Sequence, residues 1–340
     1  MAVILVTGAN GFVGQALCKY WQGQGDHQVR PVLRRAVVSA SPASPQLTTL
    51  PQRTTLPQRT TLPQANQGVI MDIGPHSDWL PHLAGVDCIV HLAARVHVLA
   101  DRASDPLAQY RAANVDATLN LARQAAGCGV RRFIFLSSIK VLGEATAQPF
   151  RATDVPQPQD PYGVSKLEAE QGLAQIAAAS GMELVIIRPP LVYGPGVKAN
   201  FLQLMRLVAR GWPVPLASVQ NRRSMVYLGN LVSLIECCRH HPAAAGQTFL
   251  VSDGFDVSTA QLIAALAEAM GRRAPLFACP PSMLMLAARL LGKAAVAERL
   301  LGSLQVDVAA TCQRLAWQPP FGFGAGITAT VAAFQQHGLE

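Results

Sequence analysis

The stretch Thr7-Gly8-Ala9-Asn10-Gly11-Phe12-Val13-Gly14 follows the apolar run 2–6 and precedes a helical pattern. Glycines between a strand and a helix let the backbone approach a pyrophosphate closely, and the N-terminus of the helix favours the anion. The glycine spacing is GxxGxxG rather than the commoner GxGxxG, so a plain strand-to-helix turn is the alternative. We predict that a dinucleotide binds at Gly8, Asn10, Gly11, Phe12, Val13 and Gly14.

The alternation of apolar runs with helical patterns over the first two-thirds of the chain is typical of a doubly wound parallel sheet. Strands are predicted at Val3–Thr7, Gln28–Leu33, Gly68–Met71, Cys88–Leu92, Arg132–Ser137 and Leu184–Arg188. Helical patterns dominate later, with a short strand-like piece at 247–251. We therefore predict a Rossmann-type α/β fold. Residues 1–195 form a NAD(P)-binding domain and residues 196–340 a smaller, mostly helical substrate-binding lobe, with some chain exchange between the two.

A repeat interrupts this pattern between the second and third predicted strands. The unit TTLPQR occurs twice and TTLPQ once more over residues 48–64. A proline in every unit removes backbone donors and blocks both a helix and an interior strand. We predict that residues 39–67 form a solvent-exposed or disordered loop insertion, with a recognition motif as the alternative.

The composition favours a cytoplasmic protein with an anionic ligand. Half of the 340 residues are hydrophobic, and the formal net charge is +8. The basic residues are scattered or paired rather than gathered in a run, so we expect no nucleic-acid partner. No apolar stretch is long enough for stable membrane insertion. The seven cysteines include no CxxC pair, which suits free thiols in a reducing compartment, and we expect no metal site.

Three polar residues are predicted to form a catalytic constellation. Ser138 follows a predicted strand, and the carboxyl ends of parallel strands face the ligand crevice. Tyr162 and Lys166 are four residues apart at a predicted helix start, so they share one face. A nearby ammonium favours the phenolate and lowers the pKa of a tyrosine. A surface helix face is the alternative for the Tyr–Lys pair alone, but the combination behind a glycine-rich turn predicts that all three are catalytic.

Two further strand ends are predicted to contact the cofactor. Asp72-Ile73 follows the third strand, where the carboxylate can accept a hydrogen bond from an adenine amino group; a loop or capping aspartate is an equal alternative. Leu92-Ala93-Ala94 ends the fourth strand, where small residues let the backbone lie against the ribose and pyrophosphate. His91 is expected to be a packed, satisfied histidine rather than a base.

The end of the second predicted strand bears on the choice of cofactor. It runs into Arg34-Arg35, and no acidic residue follows before Asp72. An acidic residue at this strand end binds the ribose 2′-hydroxyl of NAD, whereas an arginine accommodates the 2′-phosphate of NADP. We therefore expect NADP or NAD as cofactor, with NADPH favoured.

Six motifs together carry a resemblance to a known family. They are TGANGFVG at 7–14, DI at 72–73, HLAA at 91–94, SSIKVLG at 137–143, YGVSK at 162–166 and RPPLVYGPG at 188–196. With them, nearly the whole chain resembles an extended short-chain dehydrogenase/reductase of the NAD-dependent epimerase/dehydratase family. The resemblance implies that Ser138 and Tyr162 hold the reacting oxygen and that Tyr162 is the acid/base. It further implies that Lys166 tunes Tyr162 and binds the nicotinamide ribose, and that Arg188-Pro189-Pro190 lies along the nicotinamide.

The resemblance also implies where a substrate binds. Asn200 and Arg223 match positions that contact a nucleotide diphosphate, and Lys140 is assigned to the substrate together with Ser138. A guanidinium is independently well suited to a phosphate, although a surface arginine is the alternative for Arg223.

The implied reaction is oxidoreduction at C4 of a UDP-linked (N-acetyl)hexose for bacterial surface polysaccharides. The arginine pair favours a UDP-4-keto-6-deoxy-N-acetylhexosamine 4-reductase, because a reductase consumes reduced cofactor in each turnover. A UDP-glucose/UDP-GlcNAc-type 4-epimerase is the alternative, since it uses the same tyrosine and the same cofactor chemistry. A non-catalytic NAD(P)-binding regulator is the alternative from another class. A homodimer is left open.

Overall fold

The computed structural model describes residues 1–25, 27–34, 68–96 and 105–336. Its strands are β1 (Ala2–Thr7), β2 (His27–Arg34), β3 (Val69–Met71), β4 (Cys88–His91), β5 (Arg132–Leu136), β6 (Glu183–Arg188), β7 (Leu191–Tyr193), β8 (Met225–Tyr227) and β9 (Gln247–Leu250). Seven of them form one parallel sheet in the order β3-β2-β1-β4-β5-β6-β9, and β7 pairs with β8. The order reverses between β1 and β4, and ligands bind outside the carboxyl ends of the strands at such a point. The predicted Rossmann-type fold is confirmed.

Helices cover both faces of the sheet and also build the smaller lobe. They are α1 (Phe12–Gln24), α2 (Leu80–Leu83), α3 (Pro106–Arg111), α4 (Ala117–Gly127), α5 (Pro161–Ser180), α6 (Ala199–Arg210), α7 (Leu228–His240), α8 (Thr259–Ala269), α9 (Pro281–Leu290), α10 (Ala294–Leu301), α11 (Ala309–Leu315) and α12 (Phe323–Gln336). Ile4 and Val6 of β1 belong to a core with α1 and α7, whereas Leu5 belongs to a core with α4 and α5. Both faces of β1 are therefore buried, which explains its continuous apolar run.

The six predicted strands are present, and each of their ends agrees with the structure to within one residue. The strand-like piece at 247–251, which the sequence analysis assigned to the lobe, is instead the edge strand β9 of the main sheet, beside β6. Its buried Phe249 joins the core with α1 and α7, and its buried Leu250 joins a small cluster with Ile139, Leu142, Leu304 and Val306. The chain thus returns from the lobe to the sheet, and the domain boundary after residue 195 stays a prediction.

The smaller lobe has a core of its own. It is built chiefly from α6, α8 and α12, with Phe201, Met205, Ile263, Leu266 and Ile327 among its buried residues. The pair β7–β8 lies between this core and the sheet. The lobe is mostly helical, in accordance with the sequence pattern.

Two expectations from the sequence fall outside the described residues. The insertion predicted at 39–67 lies there entirely, and so do Arg35 and the side chain of Arg34, although Arg34 itself is the last residue of β2. Among the residues that the structure describes, no helix has the length and apolar character needed to cross a bilayer.

Candidate active site

The glycine-rich turn is shaped by close backbone approaches. Gly8 has φ +68°, and a Cβ there would lie 2.8 Å from the Ala93 amide nitrogen. A Cβ on Gly14 would lie 2.2 Å from the Gly8 carbonyl oxygen. Neither position has room for a side chain. Glycine at both positions therefore allows β1, α1 and the end of β4 to approach one another closely. Gly11 caps α1 without a side-chain hydrogen bond, so the first turn of the helix presents its N–H groups as an anion site requires.

His91 ties the two central strands together. Its Nδ1 is hydrogen-bonded to Thr7 Oγ1 at 2.8 Å, and its Nε2 to Thr118 Oγ1 at 2.9 Å. Burial, with a smaller contribution from Lys166, lowers the pKa of His91 from 6.5 to about 3. The ring is therefore neutral at neutral pH. The expectation of a packed and satisfied histidine is confirmed.

Ser138 and Tyr162 meet where α5 abuts the 3₁₀ turn Ile139–Val141. A Cβ on Gly163 would lie 2.8 Å from the Lys140 carbonyl oxygen, so the glycine of YGVSK allows this approach. Asp160 caps α5 by accepting a hydrogen bond from the Gly163 N–H at 2.7 Å. The result is a hydrogen bond between the side chains of Ser138 and Tyr162.

Lys166 lies one turn further along α5 and is buried. Its Nζ is 4.2 Å from the centroid of the Phe135 ring, a cation–π contact. Burial lowers the pKa of Lys166 to about 7, although the Glu170 carboxylate acts in the opposite direction. The three predicted catalytic residues are thus brought together at the carboxyl edge of β5.

The pKa of Tyr162 departs from the sequence-based expectation. Burial raises this pKa above its usual range, the Asp160 carboxylate adds to the increase, and the hydrogen bond with Ser138 opposes it. The net lowering predicted for the pKa of Tyr162 is not found, because burial outweighs the opposing hydrogen bond with Ser138. The effect of Lys166, whose ammonium lies over the Phe135 ring, on Tyr162 stays a prediction. Tyr162 is therefore held as the neutral phenol.

Asn114 supports the site and was missed by the sequence analysis. It lies in a π-helical turn, Ala112–Asp116, between α3 and α4. Its Nδ2 donates to Ser165 Oγ at 3.0 Å and to the Arg95 carbonyl at 3.0 Å, while its Oδ1 accepts from the Arg95 N–H at 2.7 Å. Ser165 Oγ in turn donates to the Tyr162 carbonyl at 2.8 Å. Asn114 thereby joins the end of β4 to the first turn of α5.

A buried ion pair lies behind Lys166 and was also missed. Glu170 accepts hydrogen bonds from Arg188 Nε at 3.0 Å, from Arg188 Nη2 at 2.6 Å and from Ser137 Oγ. Both charged side chains are almost fully buried. The resemblance implied that Arg188-Pro189-Pro190 lies along the nicotinamide, but the guanidinium of Arg188 is bound to Glu170. Glu170 follows Lys166 at i+4, a spacing that placed both residues on one helix face in the sequence.

The predicted adenine side is an open cleft. Asp72 is exposed and Ile73 is buried at the end of β3. A cleft of about 300 Å³ is lined by Ile73, Gly74, Pro75, Arg95, Gln109, Ala112 and Ala113. Leu92-Ala93-Ala94 is partly exposed, and the Ala93 N–H donates to Thr7 Oγ1 at 3.3 Å. These segments and the glycine-rich turn surround the switch point, and the residues present fit a dinucleotide.

The residues that were predicted to bind the substrate lie in three different environments. Lys140 Nζ forms ion pairs with Glu144 at 2.7 Å and with Asp160, so its ammonium is already engaged. Asn200 is exposed in the first turn of α6. Arg223 is partly buried in the lobe, where its Nη1 donates to the Gly302 carbonyl at 3.1 Å. Substrate contacts by Lys140, Asn200 and Arg223, like the Pro189 contact with the cofactor, stay predictions.

Comparisons with known proteins agree with this geometry. The model of the NAD dependent epimerase/dehydratase family matches residues 4–252. The UDP-glucose 4-epimerase of Vibrio cholerae is 43% identical over 339 aligned residues, which cover 98% of this chain and 95% of that protein. The N-acetyl-alpha-D-glucosaminyl-diphospho-ditrans,octacis-undecaprenol 4-epimerase of Escherichia coli O157:H7 is 32% identical over 209 residues, 60% of this chain and 61% of that protein.

A solved structure shares the fold. The UDP-glucuronic acid 4-epimerase from Bacillus cereus, in complex with NAD, superposes with a TM-score of 0.76 at 19% identity and covers 98% of this chain and 99% of its own. The family resemblance drawn from the motifs is confirmed, and the alternative of a non-catalytic regulator is not supported. The chain is an enzyme and belongs to the NAD dependent epimerase/dehydratase family.

Proposed function

We propose that the protein is a UDP-sugar 4-epimerase that uses NAD as a retained cofactor. The observation that carries the proposal is the contact between Ser138 and Tyr162, with Lys166 one turn away, at the sheet edge beside the glycine-rich turn. The same chain is similar over almost its whole length to a protein named UDP-glucose 4-epimerase. UDP-glucose and UDP-N-acetylglucosamine are the substrates that we favour.

The cofactor would be held by the closely packed glycines of the turn and by the end of β4. Gly8, Gly11 and Gly14 leave the first turn of α1 open to a pyrophosphate, and Leu92-Ala93-Ala94 borders the same crevice. Oxidised NAD held there would supply a reversible acceptor for the hydride of sugar C4 and a positive charge that favours a nearby phenolate.

The protein residues then handle the proton of the 4-hydroxyl. Tyr162, in the phenolate form that a bound cofactor and Lys166 would favour, is the group that accepts this proton and gives it back, and Ser138 holds the same oxygen through its hydroxyl. Lys166 is buried beside them. In its protonated form, Lys166 stabilises negative charge on the tyrosine oxygen. Asn114 fixes the backbone of the first turn of α5 through Ser165, so the tyrosine keeps its position.

This proposal differs from the reaction that the sequence favoured. The 4-reductase was inferred from Arg34-Arg35, whose guanidinium groups are outside the described part of the chain, and the comparisons support the epimerase alternative better. The preference for NADPH has the same origin and finds no support in the NAD-bound structural neighbours. We therefore propose NAD, with a single bound cofactor serving repeated turnovers.

A second candidate substrate is a sugar attached to a lipid diphosphate. The Escherichia coli relative carries such a substrate in its name. In this chain, the observation that favours it is helix α9, where Met283, Leu286 and Leu290 are exposed. A lipid-linked substrate would have to be reached at a membrane surface, and such exposed apolar side chains suit that approach.

The test uses purified protein with no added nucleotide cofactor. UDP-glucose, UDP-N-acetylglucosamine and undecaprenyl-diphospho-N-acetylglucosamine are supplied separately, and the C4 epimer is measured by chromatography. We expect epimer from a UDP-sugar and NAD in the supernatant of heat-denatured enzyme. Epimer only from the lipid-linked sugar would select the second candidate. Oxidation of added NADPH with UDP-4-keto-6-deoxy-N-acetylglucosamine, without any epimer, would contradict both and restore the reductase.

A further inference from the structure

Helix α9 is apolar on two opposite sides. Leu284 packs against the core of the lobe. Met283, Leu286 and Leu290 are 60%, 61% and 81% exposed, and their spacing places them along one stripe of the helix. A surface helix of a globular protein normally carries polar side chains on its outer face. The outer face of α9 therefore suits an apolar environment rather than water alone.

Exposed apolar side chains also flank the helix along the chain. Leu291, directly after α9, is 72% exposed, and Phe277, just before it, is 49% exposed. The Phe277 N–H donates to the Val214 carbonyl at 3.0 Å, which brings the segment around Trp212 alongside. The indole of Trp212 is 59% exposed. We call these side chains the apolar ridge: Trp212, Phe277, Met283, Leu286, Leu290 and Leu291.

Positive charge accompanies the apolar ridge. Residues 271–301 contain five arginines and lysines and one acidic residue, Glu298. Arg289 and Lys293 are exposed within and just after α9. The guanidinium of Arg210 lies 5.4 Å from the centroid of the Trp212 ring. Apolar and aromatic side chains bordered by cations are typical of a surface that rests in the headgroup region of an anionic membrane.

We propose that the apolar ridge docks on the surface of an anionic phospholipid bilayer. The ten residues of α9 are too few to span the hydrocarbon core, so the helix would lie in the plane of the interface. A second copy of the chain is the less favourable occupant, because a two-fold contact would bring the same cations face to face. The inference goes beyond the epimerase proposal, and its test needs no sugar substrate.

The first test is co-sedimentation of the full-length protein with vesicles. Vesicles of phosphatidylcholine and phosphatidylglycerol in equal parts are compared with vesicles of phosphatidylcholine alone. We expect binding to the anionic vesicles that weakens about tenfold or more in Leu286→Glu/Leu290→Glu. Leu80→Glu is the matched control, since Leu80 in α2 is 57% exposed and lies outside the ridge. This control should bind like the wild type.

The second test uses Trp212, the one exposed tryptophan among the four that the structure describes. Trp21, Trp79 and Trp317 are buried, so a blue shift of the emission on adding anionic vesicles reports Trp212, and Trp212→Phe should remove it. Equal binding to neutral vesicles, or undiminished binding of the double variant, would overturn the proposal. So would a wild-type oligomer that the double variant dissociates, because a second copy would then cover the ridge. Failure here leaves epimerase activity on UDP-sugars unaffected, so the two proposals can be separated.

Discussion

Charged side chains are normally exposed and apolar side chains are normally buried. The carboxyl edge of the sheet departs from this rule by burying charge, and the apolar ridge of the lobe departs from it by exposing apolar side chains. At the sheet edge, Glu170, Arg188 and Lys166 are buried, and the first two are held by direct hydrogen bonds. On the ridge, Leu286 and Leu290 are exposed. Burying charge is unfavourable unless the charge is paired, and an exposed apolar patch needs a partner from outside. The first region is therefore complete within the fold, whereas the second suits an external surface.

The largest expected effect is on turnover at the sheet edge. Tyr162→Phe should lower kcat by about 10²–10⁴-fold, because the ring still packs but the proton carrier is lost. Cofactor content and melting temperature should change little. Tyr110→Phe is the matched control, because the Tyr110 ring lies edge-on to the Tyr162 ring with the centroids 6.2 Å apart. The Tyr110 hydroxyl donates a long hydrogen bond of 3.5 Å to the Val96 carbonyl. An active Tyr162→Phe enzyme would remove the tyrosine from the mechanism.

The next effect is on folding stability. Glu170→Gln leaves Arg188 buried without its counter-charge, and we expect a loss of about 3–5 kcal/mol in the free energy of unfolding. Glu168→Gln in the same helix removes the exposed pair with Arg111 and should cost far less, because solvent screens that pair. Urea denaturation of both variants measures the difference. Similar losses from the two variants would show that burial of the Glu170–Arg188 pair does not increase its effect on the free energy of unfolding.

The sequence predicted the sheet and the catalytic triad because both depend on local pattern. Apolar runs mark buried strands, and the spacing from Tyr162 to Lys166 fixes one helix face. The place of β9 depends on pairing with a strand about 60 residues earlier, which no local pattern shows. The pairing of Glu170 with Arg188 and the π-helical turn at Asn114 likewise depend on tertiary packing. The raised pKa of Tyr162 could not be predicted, because it is caused mainly by burial of the side chain in the folded protein.

A pair of glycines in one helix can sharpen the comparison further. Gly14→Ala should destabilise by about 1–3 kcal/mol and weaken NAD binding, because the new Cβ would meet the Gly8 carbonyl. Gly23→Ala, near the other end of α1, meets no atom within 4 Å and should stabilise by about 0.5–1 kcal/mol. Thermal melting and NAD titration distinguish them. A Gly14→Ala protein with full NAD affinity would count against the glycine-rich turn as the pyrophosphate site.

The buried histidine gives the sheet edge a specific response to acid. The folded-state pKa of His91 is about 3, so between pH 6.5 and 3 the unfolded chain binds a proton that the folded chain refuses. Stability should therefore fall as pH decreases through this window, by about 1.4 kcal/mol per pH unit from this group. His91→Asn should flatten the dependence. Unfolding free energies at several pH values between 4 and 7 measure this; an equally steep dependence in His91→Asn would exclude the histidine as its source.

The smallest expected effect is on the apolar ridge, where polar substitution should be tolerated. Leu290 is 81% exposed, so Leu290→Gln removes little buried area from the described fold and should change the free energy of unfolding by about 0.5 kcal/mol or less. Turnover of UDP-glucose in solution should be unchanged, because the helix makes no part of the catalytic constellation. Leu284→Gln is the matched change on the inner face of α9, where the side chain packs against the lobe core, and it should cost distinctly more. Urea denaturation and initial rates of the two variants decide the matter. If Leu290→Gln were as destabilising as Leu284→Gln, Leu290 would be packed within the protein's own fold, and the contrast between a region that is complete and a region that suits an outside surface would fail.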